Sequence, residues 1–312
     1  MAETANGRPL NLICRRPDLD LIIEGQFMRG VLFSALKRPL RVLPMEDGQP
    51  WPVMDDSLIL VLGFGDAYIP HLQSCREAGH GNIGILHMAD EKGLVDCGFY
   101  GLARYVLRNY YFPERLDAEG RNGPPVVWIP NGYADSVGPV KPETLPHFAD
   151  RQHLLFFSGN VIGAEGEYPE RRQLFDVIQA HGLKSVLAET QGFASGFGRV
   201  SFAAHLANTK FAPAPAGMLA ETIRLYDALE NGAIPIAVEA PFLRAPEAFG
   251  ALGPPPFPII KSWDELPALV GPVQTDPSPE VLAEWEERRR ETIAWWQRLK
   301  AAFADRVAEV IG

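Results

Sequence analysis

Residues 209–242, TKFAPAPAGMLAETIRLYDALENGAIPIAVEAPF, hold the most suggestive chemistry in the chain. They read as a strand, a loop of small residues, a helix and a second strand. The loop is rich in Pro, Gly and Ala, so a ligand can come close to its backbone. The helix behind it would aim free N–H groups and the positive end of its dipole at that loop, a natural seat for a diphosphate. Arg224, about one turn into the helix, is placed to grip phosphate oxygens through two parallel hydrogen bonds. Asp227, three residues on, shares its helix face, where a carboxylate could accept from a ribose hydroxyl. The plainer reading of the same spacing is a surface ion pair. Thr222 opens the helix, and the amide of Gly217 is a further phosphate donor.

Other residues complete a possible group-transfer site. LLFFSGN (154–160) predicts a strand whose end presents Gly159 and Asn160, and Glu170-Arg171-Arg172 follows it. Arg172 and Arg171 are second cations for a departing phosphate, Gly159 a backbone donor and Asn160 an amide lining the site. In the first half, NIGILHMADE (82–91) places His87, Asp90 and Glu91 near the end of another predicted strand. A transfer to a hydroxyl needs a base; Asp90 is the first choice, Glu91 the second and His87 the third. Two adjacent acids could instead open a helix, and a lone His is often a core residue. A helix predicted over 97–109 would carry Arg104 and Arg108 on one face, to read an acidic or phosphorylated acceptor or simply to be solvated.

Other patterns in the chain are weaker. Gly63-Phe64-Gly65-Asp66 follows a strand but lacks the third glycine of a dinucleotide turn. Asp18-Leu19-Asp20 spells a metal-binding triplet, yet it precedes an apolar run and is discounted. The glycine-rich loop 192–198 has no Lys-Ser/Thr end, so it is no P-loop, and it reads as a mobile segment near the site.

The elements that must position these residues alternate between strand and helix, which predicts an α/β fold with parallel sheets. Strands are expected at 58–66, 82–88, 126–133, 154–160, 185–190, 210–215, 233–239 and 256–260. Helices are expected at 170–182, at 219–232 and from 278 to the chain end. DSVGPVKPETLP (135–146) has linker composition. The division expected is residues 1–145 as one domain, 146–278 as a second, and 279–312 as a helix docked on the core or returning to brace the first domain. Two Rossmann-like domains would then face a cleft that binds the ligands.

Composition narrows the function classes. The chain has 312 residues, 46% hydrophobic and 22% charged, with a net charge of -10 that argues against a nucleic-acid partner. It has no apolar run long enough to span a bilayer. The first residues lack the order of a signal peptide. A cytoplasmic enzyme is expected, free or peripheral at the inner face of a membrane. Three scattered cysteines suit neither a disulfide framework nor a clustered metal site.

The motifs, taken in order, resemble the exostosin-like glycosyltransferases (glycosyltransferase family 47 type). Thr222, Arg224, Asp227, Ala228, Gly232 and Pro235 fall on matching positions, with Asp227 in place of the usual Glu and Ala233 in place of a frequent Cys. LLFFSGN with its following arginines and KSWDELPAL (261–269) are similar to flanking motifs. NIGILHMADE, ARYVLRNYY (103–111) and VVWIPNGY (126–133) resemble the ribitol xylosyltransferase branch. The resemblance touches roughly residues 80 to 270 and does not extend to the first 75 residues. It implies GT-B architecture and inverting transfer from a nucleotide-diphosphate sugar, UDP-linked in the first place, without metal or other cofactor. The resemblance makes residues 1–145 the acceptor domain, with Asp66 as an acceptor contact, and residues 146–278 the nucleotide-sugar domain; the implied acceptor is a saccharide, polyol-phosphate or glycolipid of cell-surface glycan synthesis. Alternatives are a GDP-sugar enzyme like the fucosyltransferases, a nucleotide-sugar epimerase, or a non-catalytic saccharide- or nucleotide-binding protein.

Overall fold

Parallel strands covered on both faces need near-continuous apolar runs, and the chain supplies them twice. The computed structural model describes residues 7–63, 65–116, 123–163, 166–192, 196–275 and 277–312. It divides into two units, one of residues 1–130 with 300–312 and the other of residues 131–299. The division thus falls earlier than the linker-like segment 135–146.

The first unit holds a six-stranded sheet: β1 (Leu10–Arg15), β2 (Leu40–Met45), β3 (Ser57–Leu62), β4 (Ile83–Met88), β5 (Tyr105–Arg108) and β6 (Val126–Trp128). Their order is β2-β1-β3-β4-β5-β6, and every pair is parallel. Strand β4 is buried along its whole length. The connections carry α1 (Arg16–Leu21), α2 (Gly25–Phe27), α3 (Ile69–Glu77) and α4 (Pro113–Leu116). Ile13, Ile59, Val61, Leu72, Ile85 and Val106 form the centre of its core.

The second unit repeats the plan. Its strands are β7 (His153–Asn160), a small hairpin of β8 (Ile162–Gly163) and β9 (Gly166–Glu167), β10 (Ser185–Thr190), β11 (Thr209–Pro213), β12 (Ile234–Val238) and β13 (Ile259–Ile260). The main sheet is parallel in the order β10-β7-β11-β12-β13. Its helices are α5 (Pro169–Ala180), α6 (Arg199–Ala207), α7 (Ile223–Glu230) and α8 (Leu266–Thr275). Helix α7 is capped by Thr222, whose hydroxyl accepts from the Arg224 amide at 3.4 Å, and it closes at Gly232, which takes φ +59°.

The final helix α9 (Pro279–Ile311) follows the three-and-four spacing of its apolar residues, with Trp296, Leu299, Phe303, Val307 and Ile311 buried. Its residues from 300 onward group with the first unit, where Phe303 meets Trp128 edge-on at 5.3 Å between ring centres. Each unit is a Rossmann-like α/β domain, the pair expected of a GT-B chain.

Several elements differ from expectation. The helix predicted over 97–109 is a short 3-10 turn, Gly98–Leu102, followed by strand β5. All four β5 residues are buried between neighbouring strands, and Tyr and Val favour that setting over a helix. Arg104 and Arg108 therefore share no helix face. Strands β1 and β2 were not foreseen, because Asn11 and Pro44 interrupt their apolar pattern. Helix α6 was hidden behind the glycine-rich loop.

Candidate active site

Both sheets reverse their winding between the first strand and the third, and such points are where open α/β sheets bind ligands. In the second unit the reversal lies between β7 and β11. Pairing of β11 with β7 runs from Thr209↔His153 to Phe211↔Leu155, short of the β7 end. Beyond it, two guanidinium groups hold β7 carbonyls. Arg224 Nε donates to Ser158 O at 2.9 Å, and Arg171 Nη1 donates to Asn160 O at 2.6 Å. Carbonyls two residues apart on one strand point the same way, so the two arginines occupy one side of β7.

Each arginine is also packed. Arg224 lies over the Phe202 ring of α6 at 4.9 Å, and Arg171 over the Tyr168 ring at 4.6 Å. A side chain at Gly217 would run into Arg171, since a Cβ there would sit 2.6 Å from Nη2. The small-residue loop is fixed by Glu170, whose carboxylate accepts from the Ala216 amide at 3.0 Å. The Gly217 amide donates to Leu219 O at 3.1 Å, so it serves the loop itself and not a phosphate. Gly159 is buried within β7, opposite Glu189 of β10. Asn160 turns its side-chain oxygen to the Ile162 amide at 3.0 Å, at the start of the hairpin.

Arg172 separates from this group. It pairs with Glu167 at 2.6 Å and lies 3.9 Å from Glu189, on an open groove that Gln173, Asp176 and Asp264 also line. Helical neighbours point about 100° apart, so only one of the adjacent arginines can face β7.

Asp227 does not stand ready for a ribose. Its side chain is 1% exposed, its Oδ1 accepts from the Ala134 amide at 2.9 Å, and its Oδ2 lies 3.6 Å from Arg224 Nη1. Glu221 and Glu230 act alike, accepting from the amides of Asn131 at 3.3 Å and Val140 at 2.9 Å. Three acids on and before α7 thus anchor residues 131–140, which lead into the segment of linker composition.

Burial, opposed by Arg224 and the Ala134 amide, raises the Asp227 carboxyl from its ordinary 3.8 to about 6. The folded form therefore holds its proton more tightly than the unfolded chain. This contribution to stability is complete below about pH 4 and is lost as the pH rises through about 6. Asp227→Asn should flatten the stability profile across that window. Urea unfolding midpoints of both proteins at several pH values measure it, and parallel profiles would contradict the assignment.

The first unit carries a second polar network at the ends of β4 and β5. Asp90 Oδ2 accepts from Arg108 Nη2 at 3.1 Å, with side chains 4% and 1% exposed. Its Oδ1 accepts from the amides of Leu94 at 3.0 Å and Val95 at 3.4 Å. A buried carboxylate so fully engaged anchors the loop that follows β4, which removes Asp90 as the first choice of base. Nor can buried Arg108 read an acceptor, while exposed Arg104 donates to Asn82 at 2.9 Å.

His87 is held as a neutral ring. Gly63 O can only accept, so His87 Nε2, 2.8 Å away, carries the hydrogen, and Nδ1 accepts from the Tyr100 hydroxyl at 2.5 Å. Burial, reinforced by Arg108, pushes its pKa down to about 4. It fixes Gly63, which takes φ +67°, at the end of β3, and this is a positioning task. Glu91 is half-buried and accepts from Tyr110 Oη at 2.7 Å.

At the reversal between β1 and β3 the discounted triplet reappears. It stands on α1 directly after β1, because LNLICR is a strand after all. Asp18 is the buried residue of α1 and accepts from the Tyr68 hydroxyl, while Leu21 is 71% exposed. Asp66 is exposed at the start of the 3-10 turn Asp66–Tyr68. Phe64 of the glycine motif and residues 193–195 of the glycine-rich loop lie outside the described residues. Among the described residues no group of three His, Cys, Asp or Glu is placed to hold a metal ion. No helix among them is long and apolar enough to cross a membrane.

Comparison with known proteins adds the family. Residues 140–312, more than half of the chain, match the family model of the RXYLT1 C-terminal domain. No curated protein matches the sequence. Among solved structures, a GtfA/B complex is similar at 12% identity and TM-score 0.46, over 83% of this chain and 58% of that one. A UDP-forming alpha,alpha-trehalose-phosphate synthase from Burkholderia xenovorans is similar at 12% identity and TM-score 0.49, over 82% and 73%. An E. coli structure described as trehalose-6-phosphate bound with UDP-2-fluoro glucose is similar at 13% identity and TM-score 0.48, over 83% and 74%. The chain spans little more than half of the first of these, and likenesses so distant carry no weight beside the sheet orders.

Proposed function

We propose that this chain, which belongs to the RXYLT1 C-terminal domain family, is a glycosyltransferase that transfers a sugar from a nucleotide-diphosphate donor, UDP-linked in the first place. The observation that carries this reading is the pair Arg171 and Arg224 on successive outward carbonyls of β7, at the winding reversal of the second sheet. Two packed guanidinium groups beside a loop of small residues supply fixed positive charge where a departing diphosphate gains negative charge. Donors that are already oriented need no reorganisation as the bond breaks. The N-terminus of α7, opening onto the same loop, adds to that field.

The acceptor is a saccharide, polyol-phosphate or glycolipid, handled by the first unit, and the transfer inverts the anomeric centre. Work on such acceptors fits cell-surface glycan synthesis in the cytoplasm or at the inner face of a membrane. No metal is assigned to the reaction.

A donor panel tests the reading. UDP, GDP, UDP-xylose, UDP-glucose and GDP-fucose are added in thermal-shift and hydrolysis assays. UDP and at least one UDP-sugar should stabilise the protein, by about 2.7 kcal/mol when present at a hundred times Kd. A larger shift with GDP would move the donor to the GDP-sugars. No binding and no hydrolysis of any donor would overturn the proposal.

A further inference from the structure

The guanidinium of Arg224 rests on a helix that has little of its own to hold it in place. Helix α6 runs for 9 residues, Gly198 before it makes no side-chain cap bond, and Leu206 is its buried residue. A helix so short is marginal alone and takes its position from what it packs against. Phe202 and His205 stand three residues apart, on one face of it. Phe202 packs on Phe156 of β7 at 5.3 Å between ring centres, and Arg224 lies over the other ring of that pair, Phe202, at 4.9 Å. His205 stacks on Phe156 at 5.5 Å and meets Phe197 at 4.7 Å. All of these residues belong to the second unit.

The polar part of this packing is a contact between two imidazoles. His205 Nδ1 lies 3.2 Å from Nε2 of His153, the first residue of β7, and both side chains are half-buried. At that distance one ring donates its N–H to the lone pair of the other. A first added proton can go to a nitrogen outside the contact and leave it whole. A second sets N–H against N–H, and the rings must part. Lys210 of β11 adds to the pressure on His153; its ammonium donates to Ala149 O and Arg151 O, with Asp150 as the nearby acid. Burial, then His205, then Lys210 hold the His153 imidazole below its ordinary 6.5. The folded form therefore takes up this proton less readily than the unfolded chain. The contribution to stability is complete above about pH 6.5 and is lost as the pH falls below it.

From this arrangement we propose that the His153–His205 contact is a proton-sensitive latch on the donor site. Closed, it holds α6 against β7 and keeps Phe202 under Arg224. Opened by acid, it frees α6, the guanidinium loses its aromatic support, and nucleotide affinity falls. The inference rests on the donor reading above. His153, His205 and Phe202 are positioning residues, acting on the nucleotide through Arg224. Asp227, beside Arg224, is the other group that titrates in this range, at about 6, and it does so with or without His205.

The experiment titrates the full chain with UDP-xylose and UDP-glucose from about pH 7.5 to about pH 5, the range in which imidazoles change charge. Both ligands are diphosphate diesters and keep their own charge throughout. His205→Phe keeps a ring against Phe156 and Phe197 but removes the nitrogen, and it should bind like wild type at the upper end. At the lower end wild type should lose roughly tenfold more affinity than this variant, the loss expected when a cation leaves an aromatic face. Phe202→Leu should bind roughly 3- to 30-fold more weakly at the upper end, and without the extra fall in acid. A purely structural role for the histidines would leave the pH slopes parallel. Parallel slopes in wild type and His205→Phe overturn the latch, as does a Phe202→Leu protein that binds like wild type. If His205→Phe does not fold, the imidazole NMR signals of wild type decide. The pair should take up its protons in two separate steps, the lower one coinciding with the loss of affinity; rings that titrate together overturn the proposal. Failure of the donor reading looks different: wild type then binds neither sugar nucleotide at any pH, and the latch falls with it.

Discussion

Replacing Asp90 with alanine is expected to destabilise the first unit by about 3–5 kcal/mol, the usual cost of leaving a buried charge without its partner. The structure makes this one of the harshest single changes available. Arg108 is 1% exposed on its side chain, so its guanidinium cannot turn to water when the carboxylate is gone. It would keep a contact to Tyr100 Oη at 3.3 Å and to its neighbour's carbonyl, Asn109 O, at 3.3 Å, neither of them an anion. The amides of Leu94 and Val95 would lose their acceptor as well. Asp90→Asn keeps an acceptor and the shape but not the charge, and should cost less. Exchanging both partners, with Asp90→Leu and Arg108→Met, should recover much of the loss, because no uncompensated charge remains. Urea unfolding of the three proteins decides the matter. A loss below about 1 kcal/mol for Asp90→Ala would mean that the pair behaves as a solvated one. Asp90→Asn, assayed at a temperature where it is folded, should still hydrolyse donor within a few-fold of wild type, which separates this anchor from a base.

The pattern of what was legible follows from what each residue answers to. The strands SLILVL and HLLFFSGN stand out because burial on both faces demands unbroken apolar runs, and the sequence shows them directly. LNLICR has the same fate but not the same look: Asn11 interrupts it, and its side chain donates to Asp56 O at 3.3 Å. That satisfied polar group is a tertiary fact, invisible to periodicity. Missing β1 then misplaced Asp18, which seemed to precede an apolar run and in fact follows a strand. The same limit governs the charged residues. Spacing put Asp90 at a strand end and Asp227 beside Arg224, and both positions hold. Spacing could not show that Arg108, eighteen residues downstream on a different strand, faces Asp90, or that the Ala134 amide reaches Asp227. Whether an acid acts as base or anchor depends on such partners. Arg171 and Arg172 show it in miniature: adjacent in sequence, one serves β7 and the other a surface pair with Glu167.

Arg224→Ala tests the other half of the proposal, and its effect should fall on nucleotide affinity. A hydrogen bond to a charged group contributes about 1.5–3 kcal/mol, so UDP binding should weaken by roughly 10- to 100-fold, since each 1.4 kcal/mol is a factor of ten. The variant also loses the bond to Ser158 O and the packing on Phe202, so some fall in stability will accompany it. Arg224→Lys separates the two losses. Lysine keeps the positive charge but cannot hold the carbonyl and a phosphate through one planar fork. It should therefore bind UDP with intermediate affinity. Removal of the guanidinium has a further consequence at Asp227, whose Oδ2 lies 3.6 Å away. With its neighbouring cation gone, the buried carboxyl should hold its proton to still higher pH. The pH window of the stability profile would then widen in Arg224→Ala, whereas Arg171→Ala, farther along β7, should weaken UDP without changing that profile. Calorimetric titration with UDP and unfolding at several pH values give both readouts on the same proteins. Unchanged UDP affinity in both arginine variants would remove the donor site from the end of β7.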